Sequence, residues 1–177
     1  MKIKRLLISV AVLMTLFVFQ VYASENNVQI ENVNQEESIL LSEGEKTSKD
    51  IVTAVERSSI VSSASSEIID ETGGNIGVII ETLCHVECSQ IRNMAILDRY
   101  DEENDSWIEI ARYDFIANKE DFPNTELTSL TNSFTIENQQ TGYYYRIRGI
   151  HSVTTLNGKG QVYSTRTNGL LITEYGR

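Results

Sequence analysis

Short runs of β-branched and aromatic residues, separated by turn signals, fill the chain from residue 51 to residue 177 and limit what it can fold into. The runs are shorter than typical helices, and segments rich in glycine, asparagine and other polar residues separate them. This pattern is typical of antiparallel strands. We expect about seven strands, stacked as an all-β, antiparallel β-sandwich with an immunoglobulin-like or jelly-roll-like arrangement.

Three connections predict hairpins. The paired glycines of DETGGN (residues 70–75) can adopt positive φ and so permit a tight turn. The loop DEENDS (101–106) is too hydrophilic to be buried, so the runs on either side of it should pair. Asn157-Gly158 is a strong hairpin signal. By contrast, the long segment 118–132, which contains the only proline, is predicted to cross from one sheet to the other.

The run that begins at Trp107 has apolar residues on both of its faces. Strand alternation places Trp107 near one face with Ala111, Tyr113 and Phe115, and it places Ile108 and Ile110 on the other. A central strand or a local bulge would produce this pattern.

The segment GYYYRIRGIHS (142–152) contains three tyrosines, two arginines and a histidine. In a strand, one face would carry Tyr143, Tyr145, Ile147, Gly149, His151 and Val153, and the other would carry Tyr144, Arg146, Arg148, Ile150 and Ser152. A fully buried ring contributes about 1.5 to 3 kcal/mol, and burial of an unpaired guanidinium costs more than that. We therefore expect the tyrosine face to point inward and the arginines outward.

The outward face of this segment gives a candidate binding surface formed by Tyr144, Arg146 and Arg148. An arginine presents a planar fork of donors and a tyrosine presents a stacking face, so the surface could hold a carboxylate, a sulfate or a sugar. The alternative is that the arginines only pair with acidic residues on neighbouring strands. A lone histidine at this position is typical of a structural residue, and we expect no catalytic role for His151.

The N-terminus predicts export. Lys2, Lys4 and Arg5 precede an apolar run from residue 6 to residue 19, and Val21-Tyr22-Ala23 provides a small-residue cleavage site. The run is about 14 residues long, against the roughly 20 that a membrane span requires. We expect a signal peptide over residues 1–23, a secreted extracellular product and no stable membrane insertion after cleavage, with an uncleaved anchor as the alternative.

Residues 24–50 are predicted to be a flexible acidic linker, because they combine low hydrophobicity with seven acidic and two basic side chains. Thr47 and Asp50 have the spacing of a weak capping box and could begin a short helix. The sandwich domain is then residues 51–177. Loss of the three positive charges in residues 1–23 changes the formal net charge from -10 to -13. Such a surface repels phosphates, so we expect no nucleic acid partner.

The only two cysteines, Cys84 and Cys88, lie four residues apart in CHVEC. In an exported chain an even number of cysteines favours a disulfide. On a straight strand the two would be roughly 13 Å apart, whereas a disulfide needs Cα atoms within about 7 Å, so the bond requires a turn here. Unpaired thiols are the alternative. A metal site with His85, Glu87 and His151 lacks the second ligand pair that structural zinc normally has.

Other chemistry has weaker support in the sequence. Asp101, Glu103 and Asp105 resemble the first ligands of a calcium loop, but the turn glycine and the terminal glutamate are absent. We expect no metal and no cofactor. A pair of carboxylates that hydrolyses glycosides would meet in space rather than in sequence, with Glu109, Asp98 and Asp114 as candidates.

At RYDEENDSW, GYYYRIRGIHS and TNGLLI the chain resembles an uncharacterised family of small secreted proteins of Gram-positive bacteria, known as a domain of unknown function. The resemblance covers roughly residues 51–177 and implies secretion and a β-rich domain, but no activity. The strand with alternating tyrosines and arginines is also similar, more weakly, to fibronectin type III and immunoglobulin-like modules. Together these observations favour a secreted, non-enzymatic module that binds an extracellular protein or glycan, with a small extracellular hydrolase as the alternative.

Overall fold

The chain forms two stacked sheets, and the predicted antiparallel β-sandwich is confirmed. The computed structural model describes residues 28–30, 37–54 and 59–174. None of these residues belongs to a helix long and apolar enough to span a membrane. The strands are β1 (Val28–Ile30), β2 (Thr47–Thr53), β3 (Val61–Asp70), β4 (Ile76–Cys84), β5 (Cys88–Asp101), β6 (Ser106–Asn118), β7 (Ser129–Ile136), β8 (Tyr144–Thr155), β9 (Gly160–Arg166) and β10 (Leu170–Leu171).

The larger sheet has six strands in the order β1-β9-β8-β5-β6, and β10 also pairs with β8. The smaller sheet has the order β2-β3-β4-β7. The pairs are antiparallel except that β1 runs parallel to β9. The connection from β6 to β7 begins with a single turn of 3-10 helix, Lys119–Asp121. Because β6 belongs to the larger sheet and β7 to the smaller one, this connection crosses between the sheets as predicted.

The three predicted hairpins are present. In the β3–β4 turn, Thr72, Gly73 and Gly74 all have positive φ. Gly74 is also in close contact with the backbone of Gln139. The N–H of Gln139 donates to the carbonyl of Gly74 at 2.8 Å. In the β8–β9 turn Gly158 has a φ of +80°, a conformation that glycine adopts without strain. β5 and β6 pair around the acidic loop.

A layer of polar side chains divides the core into two apolar clusters. One cluster contains Ile80 and Ile147, and the other contains Cys88 and Val153. On each of several strands, the inward position between the two clusters is polar rather than apolar. The layer consists of Ser66 on β3, Thr82 on β4, Asn93 on β5, His151 on β8 and Thr165 on β9, all buried.

The boundary predicted between a flexible linker and the sandwich is wrong. Residues 37–50 belong to the folded domain, and Thr47–Thr53 is a strand rather than the start of a helix. Its ladder with β3 runs from Thr47 opposite Ile69 to Thr53 opposite Ser63. Pairing with β3 therefore outweighs the weak helix signal of the capping-box spacing. The predicted signal peptide, residues 1–23, lies outside the described residues.

Candidate ligand-binding pocket

Arg146 and Arg148 lie on the outer face of the larger sheet. The ladder between β8 and β5 places Arg146 opposite Asp98 and Arg148 opposite Ile96. Directly opposed residues of an antiparallel pair point to the same face, so Arg146 and Asp98 are neighbours. Ile147, between the two arginines, is buried in the core. The alternation predicted for this strand is therefore confirmed.

Both arginines donate to the same carboxylate. Nε of Arg146 lies 2.9 Å from Oδ2 of Asp98, while Nε and Nη2 of Arg148 lie 2.7 Å from Oδ2 and 2.9 Å from Oδ1. The side chain of Asp98 is only 2% exposed. Two charge-assisted contacts, one of them bidentate, hold this carboxylate in place and fix the two guanidinium planes.

The two arginines differ in exposure and in electrostatics. The side chain of Arg146 is 11% exposed and that of Arg148 is 35% exposed. Burial lowers the pKa of Arg146 and the bond to Asp98 only partly offsets this, whereas the bond to Asp98 raises the pKa of Arg148. Nη2 of Arg148 also lies 3.3 Å from Oε2 of Glu109. Arg148 is therefore the guanidinium that solvent and a ligand can reach more easily.

A β-bulge in β6 turns two side chains toward these arginines. The β5–β6 register shifts between Leu97 and Asp98, where Leu97 is opposite Ala111 but Asp98 is opposite Glu109, so Ile110 is the extra residue. Beyond the bulge, Glu109 and Trp107 share the outer face with Asp98. The predicted bulge is confirmed, but the prediction that Trp107 shares a face with Ala111 is wrong, because the extra residue reverses the alternation.

Trp107 is packed on several sides. The guanidinium carbon of Arg146 lies 4.4 Å from the centre of the indole ring, within the range of a cation–π contact. The ring of Tyr100, opposite Trp107 in the ladder, has its centre 5.2 Å away at an angle of 55°. Gly169 lies so close to the indole that a Cβ there would be 2.8 Å from Cη2. These contacts fix the ring as a wall.

The segment that precedes β2 forms another wall. Ser38 accepts a hydrogen bond from Nη1 of Arg146 at 3.2 Å and donates to the carbonyl of Thr167 at 2.7 Å. Leu40 forms a parallel β-bridge with Gly169. Residues that the sequence placed in a linker therefore contact the arginine cluster directly.

Together these elements line an open cleft with a volume of about 540 Å³, which we call the arginine pocket. Its volume lies within the roughly 300 to 1,000 Å³ range of small-molecule sites. The pocket combines three guanidinium groups, three carboxylates and two aromatic rings in one place. It is lined by Glu37, Ser38, Leu40, Asp98, Tyr100, Asp105, Ser106, Trp107, Arg146, Arg148 and Arg166.

The three consecutive tyrosines 143–145 do not all lie where the sequence predicts them. Tyr144 is half-buried, lies opposite Leu171 of β10 and does not line the arginine pocket. Tyr145 is 1% exposed, as predicted. Tyr143 precedes the strand and is 42% exposed, so its predicted place in the core is wrong. Its ring packs against the guanidinium of Arg99 at 5.0 Å instead.

His151 belongs to the polar layer of the core. Nδ1 lies 2.9 Å from Oγ1 of Thr82 and Nε2 lies 2.9 Å from Oγ1 of Thr165. Burial lowers its pKa from 6.5 to about 4. The neutral ring joins the two sheets and has no access to the arginine pocket.

Cys84 and Cys88 flank the turn between β4 and β5, but both are free thiols, so the predicted disulfide is not formed. Backbone N–H groups of the two residues donate to Thr128 and Leu127, which holds each cysteine on the segment before β7. The thiol of Cys88 donates to the carbonyl of Val86 at 3.6 Å. The neighbouring thiol of Cys88, together with burial, raises the pKa of Cys84, and the interaction with Cys84 lowers the pKa of Cys88.

The acidic loop and the candidate carboxylates are held by separate hydrogen bonds and ion pairs. In the part of the chain that the structure describes, no three histidine, cysteine or acidic side chains are grouped as a metal site. The hydrogen bond of Asp101 with Asn104 lowers the pKa of Asp101. Asp114 pairs with Arg92 at 2.6 Å. Asp98 and Glu109 meet at Arg148, but Asp98 is enclosed by the two arginines.

Sequence reasoning missed several pocket residues. Arg166 lies in the ladder between β9 and β8, opposite Arg148, and a check of neighbouring strands for further arginines could have found it. Regular strand alternation predicts the wrong face for Trp107, because the position of the bulge at Ile110 is not visible in the local pattern. Ser38 gave no signal, because it lies in a segment whose composition resembles that of a linker.

Comparison with known proteins gives little further information. No protein-family model and no curated protein matches the sequence. Among solved structures, the chain is similar to the sporulation control protein Spo0M from Bacillus subtilis, with 7% sequence identity and a TM-score of 0.35. The similarity covers 74% of this chain and about half (51%) of that protein. At this level it implies nothing about activity.

Proposed function

We propose that the protein is a secreted, non-enzymatic β-sandwich module that binds an extracellular glycan in the arginine pocket. The observation that carries the proposal is the pocket itself, where the fixed guanidinium of Arg148 lies beside the aromatic side chains of Trp107 and Tyr100 in a cavity of about 540 Å³. Concave sites with aromatic walls and a few oriented polar groups are typical of small-ligand binding. A saccharide unit fits such a site better than a protein surface does.

Hydrolysis has less support than binding. A glycosidase needs two carboxyl groups that can both reach the substrate. Glu109 is partly exposed, but the side chain of Asp98 is 2% exposed and both of its oxygens accept hydrogen bonds from arginines. In this arrangement Asp98 orients the arginines rather than attacking or protonating a bound sugar.

Secretion is tested separately from binding. The apolar segment 6–19 and the small-residue site at Ala23 support cleavage after residue 23. When the full chain is expressed in a Gram-positive host, we expect the protein in the culture medium, with Ser24 as its first residue by mass spectrometry. Retention of the intact precursor in the membrane fraction would contradict the proposal.

Binding is tested with isolated cell-wall and capsular polysaccharides in a sedimentation assay. The wild-type protein should co-sediment, and the Arg148→Gln variant should stay in the supernatant. Arg92→Gln is a matched control, because Arg92 is an exposed arginine on the same sheet, paired with Asp114 and outside the pocket. Equal binding by all three proteins would rule out the arginine pocket as the site.

A further inference from the structure

We infer that the arginine pocket binds a sugar that carries a carboxylate, a uronic acid residue of a polysaccharide, an inference that rests on the proposed function. The inference follows from the hydrogen-bond donors, the hydrogen-bond acceptors and the aromatic rings that line the pocket.

The donors of the pocket point to an anionic acceptor. Arg148 uses Nε and Nη2 for Asp98 and Glu109, and within the described residues its Nη1 amino group has no acceptor. Arg166 lines the same cavity. A guanidinium binds a carboxylate oxygen with a charge-assisted hydrogen bond. A carboxylate on the ligand would therefore meet Arg148 at the open side of the cluster.

The acceptors of the pocket point to hydroxyl groups. Glu37 and Asp105 also line the cavity, and ionised carboxylates can only accept hydrogen bonds. An acidic side chain supplies no hydroxyl donors for them. Sugar hydroxyls supply donors without adding charge. The ligand that satisfies both sets carries one carboxylate and several hydroxyls.

The aromatic walls point to a ring with an apolar face. Trp107 and Tyr100 are half-buried, and Gly169 and Arg146 hold the indole in place. A fixed ring offers contact area with little loss of conformational entropy on binding. The C–H face of a pyranose fits such a wall. A simple carboxylic acid would leave it uncovered.

The test uses matched methyl glycosides and the folded chain from residue 24, with amide chemical shifts followed by NMR. The probes are methyl β-D-glucuronide and galacturonide, the corresponding glucoside and galactoside, and a triglutamate peptide. We expect a uronide to bind about tenfold more tightly than its neutral partner, since a hydrogen bond to a charged group is worth about that factor. Shifts should be centred on Arg148 and Trp107.

Two variants of the pocket and one control complete the design. Arg148→Gln should lose the preference for uronides. Ser106→Phe should lose binding altogether, because it fills the cavity while leaving the ion pairs of Asp98 intact. Arg92→Gln should bind as the wild type does. Thermal melting of each variant shows whether the fold is retained.

The outcomes separate this inference from the function on which it rests. If neutral and acidic glycosides bind equally well at the pocket, glycan binding holds and the uronic acid assignment is wrong. If only triglutamate binds, the ligand is an acidic peptide and both proposals fail. If no probe shifts any pocket resonance at millimolar concentration, both fail as well.

Discussion

Nδ1 of His151 lies 2.9 Å from Oγ1 of Thr82, and this hydrogen bond joins the two sheets through the middle of the core. Its direction follows from the neighbouring bonds. Thr82 donates its hydroxyl proton to Oδ1 of Asn93 at 2.6 Å, and the amide of Asn93 is oriented by its donations to the carbonyl of Leu130 and to Asn132. Thr82 must then accept from His151, so the ring is protonated at Nδ1 and accepts at Nε2.

The tautomer is a prediction that NMR can check. We expect the side-chain nitrogen shifts of His151 to show a protonated Nδ1 and a bare Nε2 at pH 7, the less common form in solution. The side-chain nitrogen shifts of the exposed His85 serve as an internal reference. A protonated Nε2 in His151 would mean that Thr165 accepts rather than donates, and the whole chain of hydroxyl bonds would run the other way.

The stability of the fold should fall on mild acidification. At pH 8 His151 is neutral in both the folded and the unfolded state. Below pH 6.5 the unfolded chain binds a proton that the folded ring does not bind until the pH approaches about 4, since burial lowers its pKa. The free energy of unfolding should therefore fall by about 2 kcal/mol from this group between pH 8 and pH 5.

Urea unfolding at several pH values measures how the free energy of unfolding changes with pH, that is, its slope. A His151→Gln variant should have lower stability at pH 8 but a flatter dependence between pH 8 and pH 5. A His85→Gln variant, which changes the exposed histidine, should keep the wild-type slope. The same slope in all three proteins would show that His151 is not the group responsible.

Gly149 is required by the same polar layer. A Cβ at this position would lie 2.2 Å from Oγ of Ser66 and 2.3 Å from Oγ1 of Thr165. Because all three residues are buried, Gly149→Ala should lower the free energy of unfolding by about 1 to 3 kcal/mol, as overpacking of a core does. Ser152→Ala, on the outer face of the same strand, should change it by less than about 0.5 kcal/mol. Similar values for both variants would contradict the packing seen at Gly149.

Strand alternation made the faces of β8 predictable from sequence. The period of two separates Tyr145, Ile147 and His151 from the two arginines, and the structure follows it. The failures have physical causes. β2 is an edge strand of the smaller sheet with exposed Lys49 and Ile51, so its low hydrophobicity resembles that of a linker. The arginine pocket combines residues from four separated segments, and no local pattern reports such proximity.

Removal of the bulge should leave Trp107 on the outer face. Deletion of Ile110 makes Glu109 and Ala111 adjacent, and these two residues already lie opposite Asp98 and Leu97, which point to opposite faces. Since Trp107 is the only tryptophan, its fluorescence reports its surroundings directly. We expect the emission maximum of the deletion variant to stay close to that of the wild type. A clearly shifted emission maximum would contradict this register.

The buried carboxylate of Asp98 should contribute far more to the stability of the fold than an exposed carboxylate on the same sheet. Asp98→Ala leaves two guanidinium groups without their shared partner, and the side chain of Arg146 is only 11% exposed. Loss of one partner of a buried ion pair lowers stability by about 3 kcal/mol or more. Asp114→Ala removes the exposed partner of Arg92 and should lower it by less than about 1 kcal/mol. Chemical denaturation of both variants at pH 7 decides the comparison. Equal losses would mean that the arginines are oriented by something other than Asp98.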